Sequence, residues 1–398
     1  MSSIADIRSD FPALDDSIYL NVAARGLLSR TARQALGDLA DGHMHGTAVK
    51  EDWIALGGRA RSGFARIYHA EPDEIAFTKN VSDGLNTIAG ALPWGSGDNM
   101  VFCPDFEHPN NVYTWLNLKR RDVDVRMVPL RDNALDVDGL IERLDTRTRL
   151  LTVSSVSFCT GFRADLKRLG ETCRSNGTFF LVDAAQSSGI IDVDVHDCHI
   201  DGLATSTSKG LLGLYGQGFL YCDRAWIERL TPAYLSRFGI DAGGIHESEM
   251  GPLDYSLYPS ARRFEVGNMN WPGIITVDAS MQQLLEVGGA AIEEHAVALS
   301  KRLSDGFGDL GYPVQQPPDE ASRSHIVTVG NRTEHGARKT ESTHLNRLSE
   351  ALTRSGVVHS VRRGVLRFAT HMYNNDQDVD HVLDIARGFR DMGGPGPG

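Results

Sequence analysis

The chain has 398 residues with 40 Lys+Arg against 52 Asp+Glu, a formal net charge of −12, and is 41% hydrophobic and 23% charged. This is globular composition on a length that suits two packed domains or one large domain with an appendage, and it excludes global disorder. The acidic balance argues against a nucleic-acid groove or an anionic membrane surface, and the longest apolar runs fall short of the ~20 residues of a bilayer helix.

The opening stretch MSSIADIRSD is polar and acidic rather than a cationic, apolar leader. A soluble cytoplasmic protein is therefore expected. Between about residues 70 and 225, short apolar runs alternate with segments of helical period. EIAFT precedes SDGLNTIAGAL, NMVFC precedes a helix through Val112–Lys119, RLLTVSSV precedes ADLKRLGETCRSNG, TFFLVD follows, and GFLYC closes the set. Strands apolar throughout, separated by helices, predict a mostly parallel sheet covered on both faces. After Pro272 a long helical stretch (Ile274–Gly306, interrupted at Gly288-Gly289) leads to HIVTVG, a helix near 340–355, VLRFAT and a last helix over 378–391. That order predicts a smaller α+β domain. The expected division is an N-terminal segment (1–20) packed on the small domain, a large domain (21–272), a small domain (273–392) and a disordered Gly/Pro tail (393–398).

Several chemistries find no support. The cysteines Cys103, Cys159, Cys173, Cys198 and Cys222 are odd in number and scattered, with no CxxC pair, so neither a disulfide framework nor a structural zinc site is expected. No phosphate-loop lysine motif, HExxH or GxSxG occurs. The glycines of 210–218 precede an apolar strand rather than a helix, the reverse of a dinucleotide loop. His43-Met44-His45 and His196-Asp197-Cys198-His199 lack a second ligand pair and read as surface turns; no metal site is expected.

The informative segment runs from Thr178 to Cys222. Phe179-Phe180-Leu181-Val182 delivers Asp183 at the C-terminal end of a strand, the sheet edge where ligands bind in open parallel sheets. A carboxylate there can meet a cationic heteroaromatic nitrogen. Further on, Thr205-Ser206-Thr207-Ser208-Lys209-Gly210 places one lysine among hydroxyls and glycines, a setting for an amine that forms a Schiff base beside a phosphate. Singly, Asp183 reads as a helix cap and Lys209 as a loop lysine. Their pairing in this context favours the chemical reading.

The string VDAAQ…TSTSKGLLGLYGQGFLY resembles the pyridoxal-phosphate segment of the class V aminotransferase family, which includes cysteine desulfurases, isopenicillin N epimerase and kynureninases. The likeness extends to Ile18-Tyr19-Leu20-Asn21, to Thr78–Gly84, to Glu107-His108-Pro109-Asn110-Asn111, to Arg263-Phe264-Glu265-Val266-Gly267-Asn268 and to Leu366-Arg367 through Tyr373-Asn374. It implies the type I pyridoxal-phosphate fold and a homodimer with shared active sites. It also implies roles: Lys209 as cofactor anchor and proton carrier, Asp183 at the pyridine nitrogen and Gln186 at the phenolate oxygen. His108 would stack on the ring, and Arg367 would clamp the substrate α-carboxylate. Val81, Ser82, Ser206 and Ser208 would hold the cofactor phosphate, with Asn268 reaching the phosphate of the neighbouring subunit. Arg25, where the family has smaller residues, is a candidate for the distal end of the substrate; an exposed arginine is the equal alternative.

Departures from the family select the reaction. The stretch 356–365, where desulfurases carry a nucleophilic cysteine, is short and cysteine-free, and no cysteine follows Cys222. Ser208 stands where desulfurases have His, Ser155 where they have Asn, and Asn268 where the family has Thr. The chain is most similar to the isopenicillin-N-epimerase-like branch, which implies a C–S lyase or related β-elimination on an S-substituted cysteine in secondary metabolism. Epimerisation, transamination and a catalytically silent regulatory role are the alternatives.

Overall fold

The computed structural model describes residues 4–244, 249–251, 253–333 and 339–391; the tail expected to be disordered (393–398) lies outside them. After a short opening strand, β1 (Ile18–Tyr19), the main sheet is built from β2 (Ile75–Thr78), β3 (Asn99–Phe102), β4 (Asp124–Met127), β5 (Thr148–Ser154), β6 (Phe179–Asp183), β7 (Gly202–Ser206) and β8 (Gly218–Cys222). Their order is β2-β8-β7-β6-β5-β3-β4. β3 to β7 pair in parallel, whereas β8 runs antiparallel to both β7 and β2. The apolar run GFLYC specifies a buried strand but not its direction; the short return 207–217 after β7 leaves room only for a reversal, not for a crossover helix.

Alternation in the central strands supplies two cores. Leu151, Val153, Phe180 and Val182 face one side, and Leu150, Phe179 and Leu181 face the other, all buried. Both faces are covered, so every position in these strands must be apolar. The helix Val81–Ala91 lies on β7 at close range: a Cβ on Gly84 would sit 2.8 Å from Ala204 Cβ, so glycine sets this approach. A small antiparallel ribbon, β9 (Ile240–Asp241) with β10 (Ser256–Leu257), follows.

The second sheet, β11 (Ile326–Val329), β13 (Ser360–Arg362) and β14 (Val365–Ala369), is antiparallel in the order β11-β14-β13, and β12 (Val357–Val358) instead pairs in parallel with β1. Leu299, Leu303, Phe307, Leu348, Leu352, Leu366, Phe368 and Val379 form its core, which also buries Leu20. Arg8 pairs with Asp378 at 2.9 Å, and Asn374 Nδ2 donates to Tyr19 O at 3.0 Å. Ile7, Phe11 and Tyr19 lie in the core of the large sheet, so the opening residues join both cores.

The expected division after Pro272 needs correction. The helix Trp271–Val287 buries Ile274, Val277, Met281 and Leu284 in the core of the large sheet. The chain breaks at Gly288 (φ +94°), and the next helix, Gly289–Asp309, adds Ile292 and Ala296 to that same core before carrying Leu299, Leu303 and Phe307 into the other. Both helices are amphipathic, and periodicity alone does not say which core each face meets.

Candidate active site

Asp183 ends β6, buried, with Oδ1 accepting from Ala185 N at 2.9 Å. Its carbonyl accepts from Ser155 N at 2.9 Å, and Ser155 Oγ bonds Ser187 Oγ at 2.7 Å, so Ser155 braces the strand end from below. Glu107 lies behind it, accepting from Ser154 N (2.7 Å), Ser154 Oγ and Asn111 Nδ2 (2.6 Å). Burial and the Asp183 charge push the Glu107 carboxyl up to about 8. Burial also raises Asp183, opposed by the Ala185 N–H and by Lys209.

Lys209 sits on a turn held at three points. Gly26 N donates to Ser208 O (2.8 Å), Leu212 N to Lys209 O (2.9 Å), and His371 Nε2 to Gly210 O (2.9 Å). A side chain at Gly26 or Gly210 would strike the backbone opposite, at Lys209 O and Ser188 O respectively, so both contacts require glycine. Lys209 is half-buried, and the pKa of its amine falls to about 8: burial lowers it most, Asp183 opposes, and Arg367 and Arg362 lower it further.

Gln186 Nε2 donates to Ala23 O at 3.1 Å while its Oε1 is buried without a partner, as is Asn21 Oδ1. His108 presents its ring to the cleft, edge-on to Phe158 (centroids 5.1 Å, 76°), and its Nδ1 accepts from Asn110 N, which puts the ring proton on Nε2. Desolvation, then the charges of Lys209 and three arginines, hold it below the usual histidine range, hence neutral.

Asn80 Oδ1 caps Asp83 N (3.0 Å) at the helix start, and among the described residues the N–H groups of Val81 and Ser82 meet no protein acceptor. Gly218, paired with Ser206, draws the end of β7 to this turn; a Cβ there would lie 2.8 Å from Thr78 Oγ1 and 2.9 Å from Asn80 Cα. Val81, Ser82 and Ser206 therefore border one anion-binding corner, and Ser208 is buried beside Lys209.

Arg367, on β14, is buried; Nη1 donates to Phe158 O (2.5 Å) and Nε to Ser360 Oγ (3.2 Å). Among the described residues no carboxylate pairs with it, and burial together with Arg362 lowers it to about 9. An unpaired buried guanidinium is costly and calls for an anion.

Asn268 is exposed and lines a cleft with Thr78, Lys79, Asp83 and Asn270. Its neighbours in the same motif are structural: Arg263 donates to Tyr258 O (2.8 Å) and Ile227 O (2.6 Å), while Glu265 accepts from Phe77 N (2.9 Å) and pairs with Arg61 (2.8 Å). Arg25 is exposed, its carbonyl accepting from Tyr19 Oη at 2.6 Å.

The family model for aminotransferase class V matches residues 26–382. The chain belongs to this family of pyridoxal-phosphate enzymes. It is 29% identical to a probable cysteine desulfurase of Methanothermobacter thermautotrophicus across 98% of both chains. An uncharacterized aminotransferase of Bacillus subtilis is 28% identical across 95% of both chains. Among solved structures, the apo cysteine desulfurase of Thermococcus onnurineus superposes with a TM-score of 0.85 at 24% identity, covering 98% of this chain and 99% of that one. The cystine C–S lyase C-DES, solved with cysteine persulfide, gives 0.82 at 21% identity over 94% and 99%. The fold is accordingly the type I pyridoxal-phosphate fold.

The residues suit that cofactor on local grounds. Asp183 is a buried carboxylate that gains from a cationic partner. Gln186 and Asn21 keep buried oxygens without donors, and the helix start at Val81–Ser82 offers free N–H groups to a phosphate. The sequence motifs contained Glu107 and Asn21 without singling them out; their burial is what marks them. Among the described residues, no helix is long and apolar enough to cross a membrane.

Proposed function

We propose that this enzyme catalyses β-elimination on an S-substituted cysteine or a closely similar amino acid, releasing a thiol, and that it does so as a cytoplasmic homodimer in secondary metabolism. Pyridoxal phosphate, when bound, supplies the electron sink for a Cα carbanion. The remaining work falls to the chain's own side chains. Arg367 binds the α-carboxylate and fixes which Cα bond faces the ring. Lys209 anchors the cofactor and, with its amine near about 8, takes the Cα proton. Asp183 keeps the ring nitrogen protonated, Gln186 donates to the ring oxygen from its amide nitrogen, and His108 covers the ring as a neutral imidazole. Val81, Ser82, Ser206 and Ser208 hold the phosphate. Asn268 serves the phosphate of the neighbouring subunit, and Arg25 meets the outer end of a large side chain.

The observation that carries the reading is the hairpin ahead of Arg367. Where a sulfur-accepting cysteine loop stands in desulfurases, β13 and β14 are joined by the two residues Arg363-Gly364. Without a cysteine on that hairpin, sulfur leaves with its substituent as a thiol rather than as a protein persulfide. A screen of amino acids and cysteine conjugates with product identification tests this. Thiol with pyruvate and ammonia supports elimination. An inverted α-carbon, or a keto acid formed with the sulfur retained, replaces it with epimerisation or transamination. Arg25→Ala is expected to weaken only the larger conjugates.

A further inference from the structure

The hairpin that replaces a cysteine loop carries more positive charge than one α-carboxylate needs. The register pairs Ser360 with Arg367 and Arg362 with Val365, so Ser360, Arg362, Val365 and Arg367 share one face of the ribbon. The opposite face, Val361, Leu366 and Phe368, packs into the core of the second sheet. Arg367 reaches Phe158 O, so the arginine face looks onto the 158 loop and the cleft. Arg362 is half-buried there, and its one recorded hydrogen bond runs from Nη1 to Val361 O (2.8 Å). Among the described residues no carboxylate pairs with it, and most of its donor fork is uncommitted.

The turn itself points the same way. Arg363 (φ +45°) and Gly364 (φ +81°) are both left-handed, the signature of a two-residue turn in which Asn, Asp or Gly normally fills the first position. An arginine held there is strained, and its guanidinium is used: it lies 5.2 Å above the Phe158 ring, and Nη1 donates to Asp105 O at 3.2 Å. Arg332 Nη2 donates to the same carbonyl at 3.1 Å, with the exposed Asp105 carboxylate 3.9 Å away. Arg363 and Arg332 thereby lock the hairpin tip against the loops that carry His108 and Phe158. Arg362 stays turned to the cleft with its charge unmatched. Its field is felt at Lys209, at His108 and at Arg367. In a chain of net charge −12 this local excess of cations stands out, and the phosphate corner at Val81, Ser82 and Ser206 lies on a different strand end.

We propose that Arg362 forms an anion-reading subsite for the substrate side chain, so that the preferred substrate is an amino acid with a second negative charge beyond Cβ. Within the elimination reading, on which this rests for the reaction but not for the binding, that substrate is a cysteine whose sulfur substituent ends in a carboxylate or comparable anion. Arg367 takes the α-carboxylate and Arg362 the distal anion, two residues apart across the hairpin.

The test compares S-carboxymethyl-L-cysteine with its neutral isostere S-carbamoylmethyl-L-cysteine on the cofactor-loaded enzyme. Dissociation constants are read by rapid mixing from the cofactor absorbance before turnover. The wild type is expected to favour the anionic compound by at least about tenfold, equivalent to about 1.4 kcal/mol. Arg362→Gln should bring the ratio to within about twofold of one, and Arg362→Lys should retain part of it. A wild-type ratio near one, or a preference that survives in Arg362→Gln, overturns the subsite. Circular dichroism and cofactor stoichiometry establish that each variant is folded; should the glutamine variant fail there, the wild-type ratio and the lysine variant decide. A preserved charge preference with no thiol released would remove the elimination reading and leave the subsite standing.

Discussion

Acid should loosen the Lys209 turn through His371. This histidine is fully buried, its Nε2–H donates to Gly210 O at 2.9 Å, and its Nδ1 accepts from Met372 N at 2.7 Å, so the native tautomer has no site for a second proton without losing a bond. Burial, resisted by the Gly210 carbonyl, brings its pKa down to about 4 from 6.5. The unfolded chain therefore binds a proton that the native state refuses. The stability that neutrality confers is complete above pH 6.5 and is lost as pH falls toward 4. Over that interval the loss is about 3 kcal/mol for this group, at about 1.4 kcal/mol per pH unit. Glu107 works against it: its carboxyl is raised to about 8, so its contribution is present at low pH and is lost as pH rises. The wild-type pH profile is a composite, and a variant isolates the histidine. Urea unfolding of wild type and His371→Phe at pH 7.5 and 4.5 gives the difference. Phenylalanine can keep the stacking on Tyr373 (centroids 5.1 Å, 8°) while removing the titration. We expect the variant to be less stable at pH 7.5, for want of the Gly210 bond, and its acid-induced loss to be smaller than that of the wild type by about 3 kcal/mol. Equal acid losses in the two proteins would refute the assignment.

Lys209→Ala should abolish turnover with the fold intact, and a borohydride-trappable cofactor at full stoichiometry in that variant would move the anchor to another lysine. Asp183→Asn should retain bound cofactor and lose most activity, because a neutral amide cannot hold the ring nitrogen's proton; near wild-type rates would remove that role. Gly26→Ala forces a methyl group against Lys209 O, and we expect a loss of about 1–3 kcal/mol in thermal unfolding together with weakened cofactor retention. An unchanged melting temperature would mean that the opening segment does not brace the lysine turn.

Local signals made much of the site legible. The apolar run 179–182 identifies a strand buried on both faces, and Asp183 follows it at the edge where ligands collect, so its placement needed only periodicity and sheet physics. Lys209 was legible from its company of hydroxyls and glycines, and the glycines prove to be steric necessities at 210 and 218. What escaped was non-local. Strand direction at β8 depends on the geometry of its return, and the change of core within the helix Gly289–Asp309 depends on which neighbours its faces meet. Glu107 owes its raised carboxyl first to burial and then to the charge of Asp183, a residue distant in sequence. Asn268 was read by likeness to its motif, whose members Arg263 and Glu265 pin the 263–265 segment to β2 and the 227 turn.

The stretch 356–365 shows the difference most clearly. As sequence it is read for its absence of cysteine, on which the proposed elimination rests. As structure it is informative by what it holds. A side chain's position in a hairpin follows from its pairing partner, and only the pairing of Arg362 with Val365 sets it on the same face as Arg367. A one-residue shift in that register would turn Arg362 into the apolar core beside Leu366 and bring Val361 to the cleft, at a prohibitive cost in buried charge. The Arg363-Gly364 turn fixes the register, so the strain accepted at Arg363 positions a neighbouring charge as well as its own. Under the proposed subsite, the two-residue turn builds this wall of the cleft as a cationic surface, and the register alone decides which side chain reads the substrate.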